Sequence, residues 1–277
     1  MDVSEFHRRL RETGSFRTEA PRRPLPPLFA GLAYHWQMAG LYAKGYRLCA
    51  NPGFREREWA PLSFEALRIV ERCGGRVSFE GFEHVRALGD SAAVVVANHV
   101  SALETYLLPS FLLAWHDVAY VLKDSLTRYP VLGRCVRAIR PIPVTRRSPV
   151  ADLRAVLTHG ARALEEGRFV VLFPQGSRHR LFDPAGFNTL GTKLARHARR
   201  PVLPVCLATD FLRIGSWQRD LFATVHPRST VRFGCGEPIP WDLPEDEIQR
   251  RQTDFIASTL ARWEREDGRR LLAPARP

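Results

Sequence analysis

The sequence predicts an α/β fold in which a mostly parallel sheet is flanked by helices, with an amphipathic helical segment near the N-terminus. The chain has 277 residues, of which 45% are hydrophobic and 25% charged, enough apolar material for a buried core. Mainly apolar runs at 92–97 and 168–173 have the length of strands that are covered on both faces. Such runs alternate with stretches of helical periodicity, which is typical of parallel strands joined by helices.

Residues 1–60 precede the predicted α/β domain and divide into two segments. Residues 1–25 are rich in Arg and Glu and lead into prolines, so we expect a flexible basic arm. Residues 28–43 form a 16-residue segment without a formal charge, shorter than the roughly 20 apolar residues of a bilayer span. Its apolar side chains recur at helical spacing, at Leu28, Leu32, Trp36 and Ala39. This pattern fits an amphipathic helix in a membrane interface and equally a helix packed on the protein's own core.

Residues 61–277 are expected to form the α/β domain, which ends in a closing helix. Helical periodicity predicts helices at 63–75, 101–114, 130–139, 150–166 and from Pro244 onward. Apolar and β-branched runs predict strands within 76–85, 91–99, 118–122, 139–145, 168–173, 202–209 and 229–236. Polar residues that follow these strands are candidates for a site, because open α/β sheets bind ligands at the carboxyl ends of their strands.

The charge balance indicates which classes of partner the protein can be expected to bind. Basic residues outnumber acidic ones by 41 to 29, which gives a formal net charge of +12. Such an excess attracts nucleic acid, an anionic membrane surface or a phosphate-bearing substrate. The sequence has no nucleic-acid-binding signature, so we expect no nucleic-acid partner.

The spacing of the cysteines and the N-terminal sequence indicate the cellular compartment in which we expect the protein. The 5 cysteines stand far apart without a Cys-x-x-Cys pair, which favours a reducing compartment and no metal site. The first residues lack the apolar core of a signal peptide, so we expect a cytoplasmic protein.

A polar cluster stands at the carboxyl end of the predicted strand 91–99, formed by Asn98, His99, Ser101 and Glu104. On a regular helix His99 and Glu104 would be separated by about 140° around the axis. They can pair only if His99 lies in the turn before the helix and Glu104 reaches back from the first helical turn. The carboxylate would then orient the imidazole and stabilise its protonated form, leaving the other ring nitrogen to accept a proton. The alternative is a capping histidine beside a solvated glutamate.

A second cluster, Phe-Pro-Gln-Gly-Ser-Arg at 173–178, follows another predicted strand. Gly176 permits close backbone approach, Ser177 can donate a hydrogen bond, and Arg178 can hold a phosphate with two hydrogen bonds. The alternative is an ordinary turn with a surface arginine. Arg146, after an extended segment, is a weaker candidate because Arg pairs are common in this chain.

Taken in order, these pieces resemble the four sequence blocks of the glycerolipid acyltransferase family, typified by lysophosphatidic acid acyltransferases. The blocks are Asn98-His99-x-Ser101-x-x-Glu104, the segment from Gly133 to Arg146, Phe-Pro-Gln-Gly-Ser-Arg at 173–178, and Val-Leu-Pro-Val at 202–205. The resemblance covers roughly residues 77–240. Its specificity lies in the order and spacing of the blocks rather than in any one of them.

The sequence departs from the family's usual blocks at three positions. Glu104 replaces an aspartate and keeps its charge with one more methylene, and Ser177 replaces a threonine and keeps the hydroxyl. Gln175 stands where the family has glutamate, which removes a negative charge from the implied acceptor pocket. This last change bears on which acceptor is used.

The resemblance implies a reaction in which His99, oriented by Glu104, is the general base. It takes the proton from a hydroxyl of a lysophospholipid such as lysophosphatidic acid, as that oxygen attacks an acyl-CoA or acyl carrier protein thioester. The residues implied in acceptor binding are Ser101, Arg146, Gln175, Gly176, Ser177 and Arg178. No cofactor or metal is implied beyond the acyl donor, and no Gly-x-Ser-x-Gly motif indicates a covalent acyl-enzyme.

A lysophospholipid acceptor stays in its membrane, so we expect a peripheral protein on the anionic cytoplasmic face, held by basic residues and the 28–43 segment. A non-catalytic lipid-binding protein that retains the acyltransferase pocket is the alternative function. Hydrolysis of the thioester and nucleic-acid binding inferred from charge alone are further alternatives. The presence of both a base and its orienting carboxylate favours the enzyme.

Overall fold

The computed structural model describes residues 1–18, 26–51, 53–130, 132–213 and 223–274. The strands are β1 (Phe16–Arg17), β2 (Arg76–Glu80), β3 (Val94–Ala97), β4 (Val118–Lys123), β5 (Ile142–Val144), β6 (Phe169–Leu172), β7 (Val202–Ala208), β8 (Leu212–Arg213), β9 (Thr224–Val225) and β10 (Thr230–Cys235). The α-helices are α1 (Val3–Thr13), α2 (Pro27–Leu48), α3 (Trp59–Arg72), α4 (Leu103–Leu112), α5 (Leu132–Ala138), α6 (Pro149–Glu165), α7 (Leu190–Ala198) and α8 (Glu245–Asp267).

The main sheet has 8 strands in the order β1-β2-β10-β7-β3-β6-β4-β5, and β8 pairs antiparallel with β9 in a separate two-stranded sheet. The strands from β7 to β5 are mutually parallel, whereas β10 runs antiparallel to β7 and parallel to β2. The predicted mostly parallel α/β sheet is therefore confirmed. Every residue of β3, β6 and β7 is buried, as expected for strands covered on both faces. The parallel arrangement brings the carboxyl ends of these three neighbouring strands to one edge.

The N-terminal segment differs from its prediction. Residues 3–13 form helix α1, in which the Asp2 side chain caps the first turn by accepting a hydrogen bond of 2.9 Å from the amide of Glu5. The ring of Phe6, fully buried, contacts Phe64 and Phe79, with centroids 5.1 and 5.5 Å away. The expectation of a flexible arm is therefore wrong for this helix, because its apolar side chains enter the main core.

The remainder of the predicted arm, residues 19–25, lies outside the described residues. Because α1 and the sheet share one hydrophobic core, no break in packing marks the boundary placed at residue 60. The functional division into 1–60 and 61–277 stays a prediction.

Helix α2 combines the two alternatives left open for the 28–43 segment. Ala30, Tyr34 and Met38 are buried against the core. The opposite face exposes large apolar side chains, with Leu32 64% and Trp36 83% exposed. None of the described helices is long and apolar enough to span a bilayer. The helix is thus anchored to the protein by one face and offers an apolar surface on the other.

Replacing Phe6 with Ala tests the docking of α1. We expect a loss of about 3–5 kcal/mol in the free energy of unfolding, because the substitution removes a fully buried ring from the core. Equilibrium urea unfolding measures it. The control is Arg8→Ala on the exposed face of the same helix, where ion pairs with Glu5 and Glu12 lie in solvent. Equal stability of the two variants would contradict the docked helix.

Candidate active site

The turn between β3 and α4 carries the predicted histidine and glutamate. His99 lies before the helix and Glu104 lies in its first turn, and His99 Nδ1 is 2.5 Å from Glu104 Oε2. This confirms the geometry that the pair required. Asn98 fixes the turn to the neighbouring strand, since its amide donates to Leu207 O at 2.8 Å and accepts from Leu207 N at 2.7 Å.

The carboxylate of Glu104 is fully buried. Its Oε1 accepts hydrogen bonds from the amides of Val100 and Ser101 at 2.7 and 2.8 Å. The hydroxyl of Thr209 donates to the same oxygen at 2.6 Å. These donors replace the water that an ionised carboxylate loses on burial, and Oε2 is directed to the imidazole.

The imidazole of His99 is held on several sides while its side chain stays 16% exposed. Its ring stacks on Phe173, with centroids 4.2 Å apart and planes at 17°. The backbone of His99 is fixed too, because its N donates to Gln175 Oε1 at 2.7 Å and its O accepts from His179 N at 2.8 Å. Among the described residues no hydrogen bond is made to Nε2, which leaves that nitrogen for a substrate proton.

The loop 173–178 after β6 lies against the histidine turn through Phe173 and Gln175. Gly176 has a φ of 70°, a left-handed conformation that favours glycine. Ser177 Oγ lies 2.7 Å from a ring nitrogen of His179. Arg178 is half-buried in the same loop. The structure therefore brings the predicted 175–178 residues to the rim of the histidine site.

Arg146 is placed differently. It follows β5 at the same edge of the sheet, but β5 is three strands from β3, or about 14 Å at ordinary strand spacing. Its amide donates to Asp152 Oδ2 at 2.7 Å, and its side chain is exposed. Although burial tends to raise the pKa of Asp152, hydrogen bonds from Thr145 and Arg146 hold that pKa below its ordinary value. The Arg146 backbone is thus fixed while its side chain faces solvent.

Two residues that contact the histidine–glutamate pair escaped the sequence-based selection. Thr209 contributes a hydroxyl to Glu104, and the hydroxyl of Ser101, predicted to bind acceptor, donates to Thr209 Oγ1 at 2.9 Å. Thr209 directly follows the buried run of β7, so the rule that ligands lie at strand carboxyl ends would have found it. His179 follows the 173–178 cluster, and its amide contact with His99 has no sequence signal. Acceptor binding by Ser101 stays a prediction.

The described part of the chain contains no group of three or more His, Cys, Asp or Glu side chains arranged to hold a metal ion. The site's chemistry is that of an imidazole with an oriented carboxylate, next to a loop rich in hydrogen-bond donors. Such an arrangement can remove a proton from a hydroxyl as the oxygen attacks an electrophile.

Comparison with known proteins identifies a matching family model and similar sequences. A family model described as acyltransferase matches residues 76–208. The 1-acyl-sn-glycerol-3-phosphate acyltransferase of Pseudomonas aeruginosa is 29% identical over 152 residues, 55% of this chain and 56% of that protein. The protein of the same name from Borreliella burgdorferi is 28% identical over 157 residues, 53% of this chain and 58% of that protein. The matched part of each relative is thus a little over half of its length.

The fold also has a solved counterpart. The crystal structure of the 1-acyl-sn-glycerophosphate (LPA) acyltransferase PlsC from Thermotoga maritima matches with a TM-score of 0.64 at 20% identity, covering 86% of this chain and 96% of that one. At this identity the likeness concerns the fold alone. The family model spans both the histidine turn and the 173–178 loop. Residues 76–208, just under half of this chain, thus match an acyltransferase family model, and the similar relatives named 1-acyl-sn-glycerol-3-phosphate acyltransferase support the resemblance to glycerolipid acyltransferases.

Proposed function

We propose that this protein transfers a fatty acyl group from a thioester donor to a hydroxyl of a lysophospholipid such as lysophosphatidic acid. The observation that carries the proposal is the 2.5 Å contact between His99 Nδ1 and the buried Glu104 carboxylate. The names of the Pseudomonas and Borreliella relatives, both 1-acyl-sn-glycerol-3-phosphate acyltransferases, support the choice of acceptor.

In the proposed reaction His99 Nε2 accepts the proton of the acceptor hydroxyl as its oxygen attacks the thioester carbonyl. Glu104 stabilises the imidazolium that forms. The tetrahedral intermediate collapses with cleavage of the carbon–sulfur bond, and the thiolate takes the proton back from His99. The products are an ester and a free thiol, and the protein itself carries no acyl group.

The acceptor's phosphate would be held by Arg146 and Arg178, with Gln175, Gly176 and Ser177 shaping the pocket. Arg178 belongs to the loop that contacts the histidine turn, and Arg146 is an exposed cation at the same sheet edge. Guanidinium groups suit this task because they bind phosphate oxygens with paired hydrogen bonds. The donor is acyl-CoA or an acylated carrier protein, and no further cofactor is proposed.

The protein would meet its acceptor as a peripheral protein at the cytoplasmic face of an anionic membrane. The exposed face of α2 carries Leu28, Phe29, Leu32 and Trp36, which are the kinds of side chain that enter a lipid interface. The net charge of +12 attracts anionic headgroups. A lipid that remains in its membrane is thereby accessible to the site.

Release of free thiol tests the proposed activity. Purified protein is incubated with acyl-CoA or acyl carrier protein donors and a panel of lysophospholipids, and we expect thiol release that depends on the acceptor. His99→Ala should lower the rate by about 10²–10⁴-fold, the usual contribution of a general base. Thiol release without an acceptor would indicate hydrolysis. No turnover from folded protein that binds lysophospholipid would favour the non-catalytic alternative.

Two substitutions of Glu104 separate its charge from its length. Glu104→Asp retains the negative charge. Glu104→Gln removes it and replaces one carboxylate oxygen with an amide NH2 group, which donates hydrogen bonds where the fold already supplies donors. We expect a loss of about tenfold for Asp and at least about 100-fold for Gln in kcat. Circular dichroism verifies the fold of each variant. If Gln were the milder substitution, Glu104 would have a role other than stabilising the imidazolium.

Gln175→Glu tests the acceptor pocket. A carboxylate oxygen can accept the same hydrogen bond from His99 N that Gln175 Oε1 accepts, so the turn should stay in place while the pocket gains a negative charge. We expect the relative kcat/KM values for different lysophospholipids to change more than the best rate. Competing acceptors assayed side by side provide the measurement. An equal change in kcat/KM for every acceptor would show that Gln175 does not influence which acceptor is used.

Paired substitutions on α2 test the membrane face. Leu32→Glu with Trp36→Glu should lower binding to phosphatidylcholine/phosphatidylglycerol vesicles by at least about tenfold, since burial of each side chain is worth roughly 1.5–3 kcal/mol. Vesicle sedimentation measures the bound fraction. The control, Ala87→Glu with Ser258→Glu, makes the same charge change at exposed sites elsewhere. Equal binding by the two pairs would contradict the assignment of this face.

A further inference from the structure

We propose that Thr209, with Ser101 behind it, is a positioning residue that holds Glu104 in the orientation needed by the base. This inference deepens the proposed acyl transfer and rests on it. Thr209 lies beyond the blocks that suggested the site, since it follows the last of them at the end of β7. It is fully buried, and its Oγ1 lies 2.6 Å from Glu104 Oε1.

The direction of the Thr209 proton is set by chemistry. An ionised carboxylate only accepts, so Thr209 donates to Glu104. Its hydroxyl oxygen then accepts from Ser101 Oγ at 2.9 Å, and Ser101 Oγ in turn accepts from Leu103 N at 3.2 Å. Ser101 Oγ also lies 3.2 Å from the carbonyl oxygen of Thr209. The Thr209 hydroxyl therefore points towards the buried charge, and the single Ser101 proton bonds Ser101 to Thr209 through either Oγ1 or the carbonyl oxygen.

The origin of each donor explains why Thr209 matters. The amides of Val100 and Ser101 belong to the same turn as His99, so they move with it. Thr209 belongs to a different strand, and its bond ties Glu104 to the sheet. With Oε1 held by three donors, the carboxyl group cannot rotate without breaking hydrogen bonds, and Oε2 stays directed at the imidazole.

Thr209 is itself held firmly. The side-chain amide of Asn98 makes two hydrogen bonds to the backbone of Leu207, which lies two residues before Thr209. Asp210, the next residue, pairs with Arg213 at 3.5 Å and with Arg269 near the end of the described chain. The hydroxyl is thus a fixed donor rather than one that follows the glutamate. Ser101 is buried with it, so its hydroxyl acts inside this network.

Removal of the hydroxyl at constant shape tests the proposal. Thr209→Val should lower kcat about 10- to 100-fold, a part of what general base catalysis supplies, with KM for donor and acceptor within about twofold. Thr209→Ser restores the donor and should recover kcat to within about threefold. The control is Thr192→Val, which removes another fully buried hydroxyl, bonded to Gln249 at 2.9 Å. A kcat for Thr209→Val equal to that of the control, or no recovery with Ser, would overturn it.

A spectroscopic readout separates this proposal from the proposed function. The proton between His99 Nδ1 and Glu104 should give a downfield NMR resonance, identified by its loss in His99→Ala. Thr209→Val should shift or broaden this resonance, while Thr209→Ser and Thr192→Val leave it in place. If the resonance follows this pattern but no acyl transfer is detected, the positioning role is supported and the proposed function is refuted. Acyl transfer with a resonance unmoved by Thr209→Val would refute the positioning role.

Ser101→Ala keeps the proposal testable if the valine variant does not fold. It removes the hydrogen bond from Ser101 to Thr209 and should lower kcat about 3- to 10-fold, because Ser101 is a more distant member of the same network. The resonance should move in the same direction as in Thr209→Val, by less. An unchanged kcat together with an unchanged resonance would overturn the role assigned to the two hydroxyls.

Discussion

The carboxylate of Glu104 has no solvent exposure, and the site is organised around the hydrogen bonds that replace its water. An unpaired ion in this position would cost several kcal/mol, so the fold must supply donors. It does so from the turn after β3, from His99 and from Thr209 at the end of β7. The imidazole of His99 is oriented because the carboxylate that it contacts is itself hydrogen-bonded to the sheet.

The sheet makes this arrangement possible. Strands β3, β6 and β7 are neighbours and parallel, so the three segments that follow them meet at one edge. One carries His99 and Glu104, the second carries the ring of Phe173 against the imidazole, and the third carries Thr209. Segments that are distant in the sequence are thereby brought close together in space without long loops.

The fold class and the histidine–glutamate pair followed from the sequence because both depend on local patterns. Buried apolar runs identify strands, and the five-residue spacing of His99 and Glu104 admits one productive geometry. Helix α1 was missed because many of its residues are charged and only Phe6 and Leu10 enter the core. Thr209 lies at the carboxyl end of a predicted strand and could have been selected on that ground, but its hydrogen bond to Glu104, 105 residues away, leaves no periodic signal in the sequence.

Single-turnover mass spectrometry tests direct, base-assisted transfer most sharply. Protein in excess over an acyl thioester is mixed with saturating lysophosphatidic acid, and the lipid and intact protein are weighed at successive times. The account predicts that diacyl phospholipid and free thiol rise together in equal amounts while the protein's mass stays constant. Transient growth of the protein's mass by one acyl group, or free fatty acid in place of the diacyl product, would contradict it.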